Sequence, residues 1–266
     1  MIIERDHPAF IQPDERDTIW RYISLEKFES SIKRNALFFC RADRFSDPFE
    51  GSIPKKEAEF RINDQERISG YYGNSFNRIE AEKNVRALSE THKKFKKASI
   101  VNCWHINDNE SDGMWQLYLK SNEGVAIKSS VDRIIKAFEK TNENIYLSRV
   151  RYIDYENAIW YHEKEYPCWS YNFLTPIVHK RIEFSHETEL RLLYNLLDAE
   201  NDEQYWLKQE FEKGLFISVD LDILVDEIVL PPTSDSYIES KVKEIMNKYG
   251  LNKVIKKSKL SSEPIY

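Results

Sequence analysis

The fold is decided by residues 179–194, which read HKRIEFSHETELRLLY. If residues 186–192 form a β-strand, alternation places two acids and a base on one face: Glu187, Glu189 and Arg191. The opposite face is apolar and would pack on a core. Carboxylates held close together raise one another's pKa, which prepares one of them for acid–base or charge-stabilising chemistry. The strand interpretation therefore predicts a polar face suited to catalysis.

The same residues also fit a helix. Leu190, Leu193 and Leu197 recur at helical spacing, and an acid at 187 with a base at 191 is an ordinary pair one turn apart. Composition alone favours this helical interpretation, under which the acids belong to a solvated face. Both interpretations stay open from the sequence.

Composition limits the classes of protein that fit. The 266 residues include 41% hydrophobic side chains, enough for a substantial core without metals or disulfides. Only 7 residues are glycine, and neither G-x-G-x-x-G nor G-x-x-x-x-G-K-[ST] occurs, so Rossmann and P-loop nucleotide sites have no support. The formal charge of −6 is not typical of a general nucleic-acid binder, which carries a net positive surface.

The cysteines and the lack of long apolar runs indicate the compartment. Cys40, Cys103 and Cys168 are widely spaced and odd in number, which fits reduced thiols better than a disulfide framework. The N-terminal region is polar, and no run of about 18 apolar residues occurs. None of the six histidines has the spacing of a metal site. We therefore expect a cytoplasmic protein without a membrane span or a bound metal.

Local patterns predict strands and helices in irregular alternation. A strand at 18–23 is followed by a helix that Ser24 caps and Asn35 ends. A charged helical insertion is predicted at about 54–97, and a late helix, 236–249, is closed by Gly250. Because clean βαβ units are lacking, the pattern predicts an α+β fold. We expect a single domain spanning 1–266, with a mixed or antiparallel sheet flanked by helices.

Three further groups carry residues suited to ligand binding: Arg21 with Tyr22, Asp47 with Glu50, and Trp115 with Tyr118. The first pair lies in the first strand, where a buried arginine would need an anionic partner. The second belongs to the loop FSDPFE (45–50), whose aromatic residues would pin it to the core. The third is spaced as one patch on a helix, on which a flat ring could stack. Each group also has a plain structural interpretation, as surface, turn or core.

Several stretches together resemble a large bacterial family whose function is unknown. They keep one order along the chain: WRY (20–22), FSDPFE (45–50), CW (103–104) with MW (114–115), GVAI (124–127), HKR (179–181) with ETELR (187–191), and DEIVLPP (226–232). Ser46 departs from the pattern, because the family usually has asparagine there. More distantly, the family is similar to ADP-ribosyltransferases of the toxin and phage-defence kind, which implies a split central sheet.

That resemblance implies NAD as the substrate and an unidentified acceptor as the partner. Those enzymes use an arginine or histidine on an early strand, a mid-chain aromatic or hydroxyl, and a late glutamate, often in E-x-E. Here Arg21, then Trp115 or Tyr118, then Glu187 and Glu189 follow that order, although no S-T-S motif is present. The implied roles are oxocarbenium stabilisation for Glu189, acceptor activation for Glu187, phosphate pairing for Arg21 and nicotinamide stacking for Trp115. Further cofactor contacts are expected from Tyr22, Tyr118, Asp47, Glu50 and Arg191.

Two other classes of function stay open. The first is a non-catalytic module that binds a nucleotide or a protein through the surface of Trp104, Trp115 and Tyr118. The second is a nucleic-acid-processing enzyme whose lysines, at 93–97 and 253–259, contact phosphates. Under the leading hypothesis nucleic acid enters only as an acceptor, and the role would lie in a toxin, in phage defence or in the stress response.

Overall fold

The computed structural model describes residues 1–3, 5–71, 77–119, 123–160, 173–196 and 211–266. Leu197 and Cys168 lie outside these ranges. The strands are β1 (Thr18–Ser24), β2 (Ala36–Arg41), β3 (Ser99–Ile106), β4 (Gly124–Ser130), β5 (Tyr146–Arg149), β6 (Arg151–Ile153), β7 (His179–Arg181), β8 (Glu189–Asn195), β9 (Gly214–Ser218), β10 (Glu227–Leu230) and β11 (Val254–Lys257). The helices are α1 (Leu25–Arg34), α2 (Lys55–Tyr71), α3 (Arg78–Ala98), α4 (Asp112–Tyr118), α5 (Val131–Ala137), α6 (Leu221–Leu224) and α7 (Ser236–Tyr249).

Capping residues set the helix ends that the sequence predicted. The Ser24 hydroxyl accepts a hydrogen bond from the Lys27 amide at the start of α1, and Asn35 ends that helix in the left-handed conformation, with φ 48°. After α7, Gly250 takes the same role with φ 79°, a conformation in which glycine has no steric penalty. Both predicted helices are thereby confirmed.

A mixed sheet forms the centre of the described residues and confirms the predicted α+β class. The strand order is β11-β10-β4-β1-β3-β2-β9, while β8 pairs with β3 and β5 pairs with β8. Within the described part of this sheet, β10 and β11 pair in parallel and the other ladders are antiparallel. A separate parallel pair, β6 with β7, carries the segment that leads into β8.

The sheet has a local split beside β3, where two strands pair with opposite ends of the same edge. At one end β1 pairs with β3 at residues 105 and 106, and at the other end β2 pairs with β3 at residues 100 and 101. Along residues 102–104, the described strands supply no ladder partner on that edge. Two side chains bridge the gap instead: Asn102 donates to the Phe38 carbonyl at 2.9 Å, and Arg21 enters from β1.

The two faces of β8 are buried against different neighbours, which settles how residues 189–195 fold. One face contributes Leu190 and Leu192 to the larger apolar core, together with residues of α1, α5, α6 and α7. The other contributes Leu193 to a smaller cluster that includes residues 174, 177 and 178. Because these leucines alternate between faces, the helical interpretation of this stretch is wrong.

The predicted charged insertion consists of two helices, α2 and α3, that pack against each other. A capping box opens α3, in which Asn77 and Glu80 bond each other's main chains. Lys96 and Lys97 lie in its last turn, where cations complement the helix dipole. On α2, Glu57 and Arg61 form a buried pair at 2.6 Å. In the described ranges, no helix combines the length and the apolar character needed to cross a bilayer.

Candidate functional site

The polar face of β8 begins later than predicted. Residues 182–187 form a 3-10 segment, and the strand starts at Glu189 rather than at residue 186. Between them, Thr188 has φ 37°, a left-handed conformation that β-branched residues rarely adopt. Its hydroxyl donates to the Ile106 carbonyl at 2.8 Å, which holds this turn against β3. Glu187 therefore reaches the site from a turn, whereas Glu189 and Arg191 alternate along the strand as predicted.

Arg191 is the centre of a buried group of charges. The residue is 1% exposed, and its guanidinium donates to both oxygens of Glu189, at 3.1 and 2.9 Å. The same guanidinium donates to the Glu50 carboxylate and, at 2.5 Å, to the Ile177 carbonyl. A planar guanidinium provides this multidentate binding, whereas a lysine ammonium does not.

Lys180 supplies the second cation. Its ammonium lies 2.8 Å from Glu187, 3.5 Å from Glu189 and 3.7 Å from Glu50. We call Glu50, Lys180, Glu187, Glu189 and Arg191 the ionic cluster. Three carboxylates face two cations there, so one negative charge is in excess when all five groups are ionised. Among the described residues, no three His, Cys, Asp or Glu side chains are arranged to hold a metal ion.

The two acids of the predicted pair have pKa values shifted in opposite directions. Burial raises the pKa of Glu187, and the hydrogen bond from Lys180 does not cancel this effect. Burial also opposes ionisation of Glu189, but the charges of Arg191 and Lys180 outweigh it and bring that pKa to about 2. The ionised carboxylate of Glu189 is suited to stabilise positive charge, and the more readily protonated Glu187 is suited to accept a proton.

This lowered pKa predicts an acid-sensitive fold. The pKa of Glu189 is about 2 in the folded protein, against an ordinary value of 4.5. Its contribution to the free energy of unfolding is therefore complete above pH 4.5 and is lost as the pH falls towards 2. The contribution is roughly 3 kcal/mol. Urea unfolding at a series of pH values should show wild type losing more stability than Glu189→Gln between about pH 5 and pH 2. Equal acid sensitivity in the two proteins would contradict the assignment.

Cys103 lies beside Glu189 on the neighbouring strand. It is directly opposite Arg191 in the β3–β8 register, so its side chain lies on the same face of the sheet as Glu189 and Arg191. Burial raises the pKa of this thiol well above its usual range, so it stays protonated. The side chain of Tyr118 is half-buried beside this group. Burial first, and then the charges of Cys103 and Glu187, raise the pKa of its phenol.

Arg21 occupies the split in the sheet. Its guanidinium donates to the main-chain carbonyls of Cys103 at 3.3 Å and Phe38 at 3.5 Å, and lies 5.8 Å from the centre of the Trp104 ring. No carboxylate in the described part of the chain forms an ion pair with it. Burial lowers the pKa of the guanidinium to about 10, because its neighbours replace only part of the lost hydration. A largely desolvated cation that keeps some exposed surface and is held by two long carbonyl contacts is well placed to bind an anion.

The loop FSDPFE places one acid in the ionic cluster and uses the other to anchor itself. Asp47 is 4% exposed; it accepts from the amide two residues on, at 3.1 Å, and from Arg181 at 3.0 Å. Glu50 reaches across the site to Arg191 and Lys180. Both acids thus have protein partners, and their contact with a ligand stays a prediction.

The predicted aromatic residues divide into a buried part and an exposed part. Trp115 is 4% exposed, donates from its indole to Glu110 at 3.0 Å, and meets the Tyr22 ring edge-on at 4.9 Å. Tyr22 is equally buried, and its hydroxyl accepts from the Ser111 amide. Tyr118 is 47% exposed. Of the three rings, that of Tyr118 is therefore the one that a ligand can reach directly, while Trp115 and Tyr22 pack between α4 and the sheet.

Four residues of the site were not predicted as such: Cys103, His105, Tyr152 and Lys180. Tyr152 accepts a hydrogen bond from the Glu189 amide at 2.8 Å, and His105 lies directly opposite Glu189. Lys180 follows no spacing rule relative to the acids that it contacts. The one signal that points to it is the acid pair itself, because buried carboxylates require cationic partners.

Comparisons with known proteins add a distant likeness. No family model and no curated protein matches this chain. Among solved structures, Thermus sp. 2.9 DarT in complex with NAD+ is similar over 93% of this chain and 97% of that chain, with a TM-score of 0.39 and 8% identity. DarT in complex with carba-NAD+ is similar over 94% and 98%, with a TM-score of 0.37 and 9% identity. Likenesses this low carry no argument, so the site stands on its own contacts and charges.

Proposed function

We propose that this chain is an NAD-dependent enzyme that breaks the nicotinamide–ribose bond and passes ADP-ribose to an acceptor or to water. The observation that carries the proposal is the opposite charge on the two sides of Cys103. Its side chain lies directly opposite Arg191 of the ionic cluster, which has an excess negative charge, whereas its carbonyl accepts a hydrogen bond from the Arg21 cation. NAD has a matching polarity, since its ribose lies between a cationic nicotinamide and an anionic pyrophosphate.

The chemistry follows from where the charges lie. The bond between ribose C1′ and the nicotinamide nitrogen breaks with both electrons going to nitrogen, and positive charge develops on the ribose, as in glycoside hydrolysis. The ionised Glu189 stabilises that charge and accepts a hydrogen bond from the ribose 2′-hydroxyl. A water or acceptor hydroxyl then attacks C1′, and Glu187 takes its proton. The exposed ring of Tyr118 flanks the nicotinamide.

Arg21→Met is expected to weaken NAD binding without lowering stability. Charge-assisted hydrogen bonds contribute roughly 1.5–3 kcal/mol, so Kd should rise by about 10- to 150-fold. Stability should hold or rise, because the folded protein desolvates this cation without an ion pair. Calorimetric titration with NAD and a thermal melt measure the two effects.

The matched control for this substitution is Arg34→Met. Arg34 also lies over an aromatic ring, that of Phe216 at 4.6 Å, but it is an exposed residue at the end of α1. Its loss should leave the Kd for NAD unchanged. If Arg21→Met destabilises the fold by several kcal/mol and binds NAD normally, then Arg21 is a structural residue.

The direct test of the function is incubation of the full chain with NAD, followed by chromatography for free nicotinamide. Candidate proteins, nucleic acids and small molecules added to the reaction are weighed for the gain of ADP-ribose. We expect nicotinamide release by wild type and much less by Glu189→Gln. Saturable NAD binding with no release, equal in both proteins, would point instead to a non-catalytic nucleotide-binding module.

A further inference from the structure

His105 carries an unsatisfied hydrogen-bonding atom inside the candidate site. The residue lies on β3, directly opposite Glu189, and is 4% exposed. Its Nε2 atom is buried and has no hydrogen-bond partner among the residues that the structure describes. Since a buried polar atom left unpaired costs about 1–3 kcal/mol, its presence beside the acid pair calls for an explanation.

The contacts of the imidazole ring fix its tautomer. Nδ1 lies 2.7 Å from the Glu187 carbonyl oxygen, which can only accept, so Nδ1 carries the proton. The Thr188 hydroxyl is 2.9 Å from Nδ1 but donates its own proton to the Ile106 carbonyl. Burial lowers the pKa of His105 and outweighs the Glu187 bond, so the ring favours the neutral form. Nε2 therefore presents a lone pair and needs a donor.

The donor must suit both the position of Nε2 and the charge around it. Residues directly opposite in an antiparallel ladder have β-carbons about 4.5–5.5 Å apart, so His105 and Glu189 present two acceptors side by side. A phosphate or carboxylate is mostly ionised near neutral pH and so is a poor hydrogen-bond donor. The excess negative charge of the ionic cluster also disfavours the binding of such an anion. A sugar diol is neutral and presents two donors side by side.

We propose that His105 Nε2 accepts the 3′-hydroxyl of the nicotinamide ribose while Glu189 accepts the neighbouring 2′-hydroxyl. This inference rests on the proposed function and adds a specificity determinant to it. Together the two acceptors select a ribose over a deoxyribose. His105 thereby also couples sugar recognition to the acid pair, because its other nitrogen holds the main chain of Glu187.

Two substitutions separate the binding role from a structural one. His105→Asn places an amide nitrogen near the Nδ1 position, so it keeps a donor for the Glu187 carbonyl and loses the acceptor at Nε2. His105→Gln does the reverse. Both are made in the Glu189→Gln background, so that NAD survives the titration. Each protein is titrated calorimetrically with NAD and with the analogue that lacks the 3′-hydroxyl on the nicotinamide ribose.

The expected result is a loss of discrimination in one variant only. The parent protein, Glu189→Gln, should bind NAD about 3- to 10-fold more tightly than the 3′-deoxy analogue. The same protein with His105→Asn added should bind NAD and the analogue equally. If His105→Asn keeps the parent's preference, or if the preference is lost in His105→Gln alone, the inference is overturned. If neither the folded Glu189→Gln protein nor folded wild type binds NAD, the proposed function fails together with the inference.

Discussion

Glu189→Gln is expected to lower the rate of nicotinamide release from NAD by roughly 10²- to 10³-fold. Glutamine keeps the size of the side chain and one oxygen for Arg191, but it removes the negative charge that we propose stabilises the ribose. The carboxylate is well held, since Arg191 binds both of its oxygens and Lys180 lies 3.5 Å away. Single-turnover measurement of free nicotinamide gives the rate of the chemical step.

The control must also lose a buried acid from an ion pair, but away from the site. Glu57 meets this need, because it is fully buried and pairs with Arg61 on α2 at 2.6 Å. Glu57→Gln should therefore reduce stability while leaving the rate within a few-fold of wild type. If Glu189→Gln is folded and releases nicotinamide at nearly the wild-type rate, Glu189 is not the stabilising carboxylate. A rate loss in Glu57→Gln as large as in Glu189→Gln would trace the effect to stability instead.

Arg191→Met is expected to lower the free energy of unfolding by about 3–5 kcal/mol. The guanidinium is the group that both Glu50 and Glu189 bind. Without it three buried carboxylates, those of Glu50, Glu187 and Glu189, would share the single ammonium of Lys180. Methionine fills a similar volume, so the loss would come from charge rather than from a cavity. Urea unfolding monitored by tryptophan fluorescence measures the change.

Arg133→Met is the matched comparison, because Arg133 has the same kinds of partner. It donates to the Ile223 carbonyl and to Asp226, each at 2.9 Å, but both members of that pair are 37% exposed. Exposed pairs contribute at most about 1 kcal/mol, so the loss there should be several-fold smaller. Adding Glu50→Gln to Arg191→Met should recover part of the stability, since it removes one uncompensated charge. Equal losses at positions 133 and 191 would contradict the role given to burial.

The sequence predicts those parts of the site that depend on residues close together in the chain, and it predicts contacts between distant residues less well. Alternation along one strand is a local rule, so Glu189 and Arg191 were placed on one face correctly. Glu187 was assigned to the same strand, but the left-handed Thr188 and the 3-10 segment before it follow from packing against β3. No periodicity in the sequence encodes that turn, since its hydrogen bond joins residues 188 and 106.

Contacts between distant segments were harder to predict. Glu50 meets Arg191 across 141 positions of the chain, and the FSDPFE loop alone does not say where it docks. Helical spacing predicted one aromatic patch from Trp115 and Tyr118, yet their burial differs because α4 ends at Tyr118. Lys180 and His105 enter through strand pairing, which depends on the whole sheet rather than on neighbouring residues.

The hydrogen bonds of Arg21 end on main-chain carbonyls, at positions 38 and 103. Any amino acid at those two positions offers the same oxygen, so mutational drift there would not dislodge the guanidinium. Distant relatives with little sequence identity are therefore expected to keep the position of this arginine, and with it the anion binding that we propose, because both depend on the path of the backbone.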